Sequence, residues 1–123
     1  MAVETYAYQP DNLVAGGNLD VETTAETLAK GENLKRGALV GMLDADGTLK
    51  AIKKGVTDGT QNLYGIMTED VDATANAAPA VVYVFGNFNT NSMIVPAGDT
   101  VAAYRVQGRK IGLIFRTAQA VPA

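Results

Sequence analysis

The stretch Ala80-Val81-Val82-Tyr83-Val84-Phe85, followed by Gly86-Asn87, carries the strongest strand signal in the chain. Its β-branched and aromatic side chains fit a pleated, half-buried surface. A short apolar run bounded by turn residues has the length of a strand rather than of a helix, and Gly86-Asn87 is expected to end it. Upstream, residues 38–43 are short and apolar, and Asp44-Ala45-Asp46-Gly47 supplies a turn into residues 48–53. That order reads as a hairpin. Residues 63–68 read as a further strand, between loops at 54–61 and 69–79. Residues 20–29 are ambiguous: Val21, Thr23, Thr24 and Thr27 favour an extended chain, whereas Glu26, Leu28 and Ala29 tolerate a helix. The extended reading is preferred.

Downstream, Asp99 is a suitable N-cap for one short helix over residues 99–107. Gly108 then stands where a C′ glycine belongs, and Arg109 and Lys110 suit the negative end of the helix dipole. Residues 111–116 read as a last strand and 117–123 as a tail. The fold class is therefore mainly β (α+β) with one short helix, and no internal repeat is visible.

Two segments of the chain differ in charge. Residues 1–32 hold Glu4, Asp11, Asp20, Glu22, Glu26 and Glu32 against Lys30, a net −5, which leaves +2 for the rest of a chain whose total is −3. Residues 1–18 read as an extended arm, because Pro10 disfavours a helix across Gln9 and Gly16-Gly17 interrupts what precedes the body. Residues 19–123 are expected to form a single β-rich domain, a length suited to one hydrophobic core. The arm is expected to be mobile alone and able to add as a strand to a partner's sheet edge.

The chain contains neither Cys nor His. That removes thiol nucleophiles, disulfides and Cys/His zinc sites, along with the usual base for a hydroxyl nucleophile. Ser92 is the sole serine. No catalytic, cofactor or metal residue is assigned, and the chain is not expected to be an enzyme. Its pI near 4.8 argues against a nucleic-acid partner, which favours a basic face. No apolar run approaches the length of a membrane span, and no secretory leader is legible at Met1-Ala2-Val3-Glu4-Thr5.

Several short patterns hint at chemistry but read as ordinary structure. Asp44-Ala45-Asp46-Gly47 resembles the start of a calcium loop, but the position that needs Glu is Gly55. Thr57-Asp58-Gly59-Thr60 lacks the Gly-Lys-Ser/Thr ending of a phosphate loop. Glu69, Asp70 and Asp72 could form a metal or acid/base site, but a solvated loop is the preferred reading. Lys50, Lys53 and Lys54 suit a protected strand edge. Phe85 and Phe88 are assigned, with Tyr104, to core or subunit contacts.

Three stretches resemble the lambda-type bacteriophage head-decoration family. They are Glu4-Thr5-Tyr6-Ala7-Tyr8-Gln9-Pro10 with the later Gly16-Gly17, residues 31–41, and residues 64–74 leading into 81–85 and Gly86-Asn87-Phe88-Asn89. The helix and last strand also fit that family's ending. The resemblance implies a β-clip-like bent ribbon or incomplete barrel that forms a homotrimer. It implies binding to the major capsid protein at three-fold and quasi-three-fold sites, outside an expanded head, after synthesis in the host cytoplasm. Val3, Glu4, Thr5, Tyr6, Tyr8 and Pro10 would belong to the capsid-binding arm. The implied role is mechanical stabilisation against packaged DNA, and removal of residues 1–17 is expected to leave a folded trimer that no longer binds capsids. Two alternatives stay open: another β-rich virion module, such as a tail or fibre attachment, and a carboxylate-based metal-binding domain or enzyme.

Overall fold

Residues 80–85 lie inside one long strand that organises the rest of the molecule. The computed structural model describes residues 13–15 and 20–117. Along the chain run β1 (Glu22–Leu28), β2 (Asn33–Leu34), β3 (Leu39–Met42), β4 (Leu49–Ala51), β5 (Gly65–Met67), β6 (Val71–Asp72) and β7 (Ala78–Asn89). They are followed by 3-10 turns at Thr90–Ser92 and Val101–Tyr104, α1 (Arg105–Ile111) and β8 (Leu113–Arg116). The sheet order is β1-β4-β3-β5-β7-β8, and β1 also pairs with β7. Five strands thus close a small ring, joined loosely where Leu28 meets Leu49 in parallel, and β8 extends it. The expected incomplete barrel with one helix is the observed architecture. The hairpin over residues 38–53 is present as β3–β4, and residues 22–28 are extended. The expected loop over 69–79 contains the two-residue β6, which pairs with β2.

Gly86-Asn87 does not end the strand. β7 continues to Asn89 because it changes neighbours at that point. Its first half lies between β1 and β5, with Tyr83 opposite Thr23 on one side and Ile66 on the other. Its second half runs parallel to β8, from Gly86 opposite Leu113 to Asn89 opposite Arg116. Gly86 makes the change of course possible: its φ of 137° is one that side-chain-bearing residues rarely adopt. Local turn chemistry predicts a stop, but the backbone bonds offered by β8 outweigh it.

Period-two alternation builds two cores. Val40, Met67, Ala80 and Val82 join Leu28 and Leu49 in one cluster. Their neighbours Leu39 and Ile66 point the other way, joining Leu13, Phe88, Tyr104, Leu113 and Phe115 in a second cluster. Tyr104 from the second 3-10 turn and Leu113 and Phe115 from β8 complete this second cluster.

That helix lies further along than expected. The α-helical segment starts at Arg105, and its left-handed closing residue is Gly112, with φ 95°, rather than Gly108. Asp99 does not cap it; its carboxylate accepts from the Thr100 amide and the Tyr104 hydroxyl. Arg109 and Lys110 occupy the last turn, as the dipole favours. Gly108 is a packing glycine: an added Cβ would lie 2.6 Å from the Leu113 carbonyl oxygen and 2.8 Å from the Phe115 ring. Gly108→Ala gains up to about 1 kcal/mol of helix propensity, but overpacking against backbone costs about 1–3 kcal/mol. A net loss is expected, read as a lower urea midpoint.

Candidate functional site

Residues 13–15 show where the N-terminal segment meets the body. Leu13 is fully buried, and Val14 bridges antiparallel to Phe88. The Asn89 amide donates to the Leu13 carbonyl at 2.7 Å, and the Ala15 amide donates to the Asn87 carbonyl at 2.9 Å. These residues, which the sequence places within the arm, pair with the second half of β7. Val3, Glu4, Thr5, Tyr6, Tyr8 and Pro10 lie outside the described residues. A cut after residue 17 therefore removes a core side chain as well as the residues before it.

The three body residues assigned to core or subunit contact separate. Phe88 is fully buried, with its ring centroid 5.0 Å from that of Tyr83, and Tyr104 is buried. Phe85 is 37% exposed and lies against Gly112, where an added Cβ would meet its ring at 2.5 Å. The residue before Gly112, Ile111, is 45% exposed. The end of α1 and the middle of β7 thus each leave an apolar side chain exposed, Ile111 and Phe85. Sequence reasoning misses Ile111 because it expects the helix to stop before it.

Of the acidic candidates Glu69, Asp70 and Asp72, the last two are engaged separately. Asp70 accepts from the Arg36 amide at 2.9 Å and pairs with Lys35 at 3.7 Å, both side chains being largely exposed. Such an exposed pair contributes about 0–1 kcal/mol. Asp72 accepts from both the amide and the hydroxyl of Thr74. Asp46 with Thr48 and Asp58 with Thr60 repeat this arrangement. Among the described residues, no three acidic side chains converge on a possible metal position. Lys54 donates to the Gly98 carbonyl at 2.8 Å, tying the lysine-rich loop to the segment before α1.

These Asp-x-Thr turns hold their carboxylates below the ordinary value of 3.8. For Asp46 the Thr48 amide is the leading cause; for Asp58 and Asp72 the threonine hydroxyls lead. A carboxylate with a depressed folded-state pKa stabilises the fold above its unfolded pKa, and that contribution is lost as pH falls through the folded value. Melting temperature should therefore hold above about pH 5 and fall below about pH 4. The combined D46N/D58N/D72N variant should decline less steeply over the same range. In the opposite sense, burial and then a bond to Glu26 push the Tyr64 hydroxyl up to about 12. Burial and then Asp99 do the same for Tyr104.

The fold defines a small β-rich body with residues 13–15 paired to its central strand and exposed apolar side chains at Phe85 and Ile111. A model of the bacteriophage lambda head decoration protein D family matches residues 2–112, and the chain belongs to that family. It is accordingly a structural bacteriophage protein of the virion, associated with the capsid in a decorating role. Comparison with curated proteins finds no match.

Proposed function

We propose that the chain binds the outer surface of the expanded head as a homotrimer, at three-fold and quasi-three-fold positions, and stabilises the shell against internal DNA pressure. The observation that carries this reading is the anchoring of residues 13–15 on β7, which roots the N-terminal segment on the rigid body. Residues 1–12 then act as the arm that adds to capsid elements. The exposed apolar pair Phe85 and Ile111 supports self-association, since apolar side chains brought together leave water. Threefold linkage matters energetically. A single contact of about 1 mM affinity contributes only about 4 kcal/mol, whereas joining arms whose geometry permits simultaneous engagement raises apparent affinity by about 10²–10⁴. Stapling neighbouring shell subunits in this way raises the work needed to separate them, and no chemical step is required.

Co-sedimentation with undecorated shells, before and after expansion, tests the reading. Binding to expanded shells alone, saturating at three copies per three-fold position, is the expected result. Binding to neither form, or to tails instead, would overturn it.

A further inference from the structure

Arg105 and Arg109 lie one turn apart on α1, and Arg116 ends β8. All three line one cleft of about 690 Å³, together with Thr90, Ile114 and Thr117. Among the described residues, no acidic side chain lines it, and none of the three guanidiniums has an acidic partner. A concentration of positive charge is thus left uncompensated in a chain whose net charge is −3.

One wall of the cleft is β8. Among the described strands it pairs with β7 alone. In a parallel pair, alternate residues direct their N–H and C=O groups away from the neighbour, so the outer edge of β8 offers unpaired backbone groups. A single edge arginine would be ordinary protection against aggregation. Here two helix arginines join it around the same concavity, which gives an extended guest both backbone partners and forks for its carboxylates. A nucleic acid would not use the amide edge, and the cleft's one aromatic residue, Phe115, is buried and offers no stacking face.

We propose that this cleft receives an extended, acidic segment of the shell subunit, which adds as a strand to β8 while Arg105, Arg109 and Arg116 hold its carboxylates. It is an attachment point separate from residues 1–12. It rests on the decoration reading, and β8 lies beyond the residues matched by the family model.

The test measures binding of the full chain to undecorated expanded shells. The exposed positions allow the R105E/R109E/R116E variant to stay folded, which circular dichroism and sedimentation check. It should bind shells about tenfold or more weakly, because the introduced glutamates place like charges against an acidic guest at a desolvated contact. Lysine at the three positions should restore most of the binding, because charge returns without the bidentate fork. Native binding should weaken as salt rises, and shell binding should protect the amides of residues 113–116 from hydrogen exchange. Undiminished binding by the glutamate variant, or unprotected β8 amides, would overturn this inference and leave the decoration reading standing. Failure of the native chain to bind shells would remove both. Binding of a short labelled DNA that disappears with the arginines would make the cleft a nucleic-acid site instead.

Discussion

Deleting residues 1–12 is expected to weaken binding to expanded shells by about 10²-fold or more while the body still unfolds cooperatively, because avidity multiplies the effect of removing every arm at once. The position of the cut decides what the experiment measures. Leu13 is fully buried among Leu39, Phe88 and Leu113, and its carbonyl accepts from the Asn89 amide. Removing residues 1–17 takes that side chain and two backbone bonds away, so weaker binding would be confounded with weaker folding. Leu13→Ala alone should cost about 2–5 kcal/mol, the usual range for truncating a buried leucine. The informative pair is therefore the deletion of 1–12 beside Leu13→Ala. The first should lose shell binding with its urea midpoint nearly unchanged, and the second should lose midpoint first. Full-strength shell binding by the 1–12 deletion would sink the arm model.

Phe88→Ala should be the most damaging single substitution in the body, at about 3–5 kcal/mol. Its ring is fully buried in the second cluster and tilted against Tyr83 at 5.0 Å, an arrangement worth about 0.5–1.5 kcal/mol beyond the area buried. Since single domains have about 5–15 kcal/mol in hand, the variant should be close to unfolding at moderate temperature. Phe85→Ala is the control. At 37% exposure, Phe85 should contribute much less to the isolated body, and its loss should instead reduce self-association, read by sedimentation. Equal destabilisation by both substitutions would show that Phe85 belongs to the core.

Much of the fold is legible from side-chain type and local turns. The Val-rich run at 81–84, the apolar residues at 39–42 and the Asp-Gly turn between β3 and β4 specify strands, because β-branched packing and turn preferences act over a few residues. The absence of Cys and His, and the acidic leading segment, are likewise properties of the chain itself. Family membership is legible too, through the order of several soft motifs rather than any single one.

Other features depend on neighbours distant in sequence. Gly86-Asn87 carries a stop signal, yet β7 runs on because residues 13–15 and β8 arrive on its two sides to pair with it. Phe85 and Phe88 flank Gly86, where the alternation of faces breaks, so that Tyr83, an odd five residues before Phe88, packs against the Phe88 ring. Which of the two phenylalanines is buried is settled by the arrival of Leu13, Leu113 and Phe115 over Phe88. Gly108 looks like a helix end, but its missing Cβ makes room for the Leu113 carbonyl, a contact that exists only after Gly112 has turned the chain back. The same reversal brings Arg116 beside Arg105 and Arg109, so the basic cleft has no signature in any single window of the sequence. Local propensity determined which segments could be strands; the tertiary structure decided their lengths, their buried faces and the grouping of their charges, because backbone pairing and apolar burial act between segments that sequence order keeps apart.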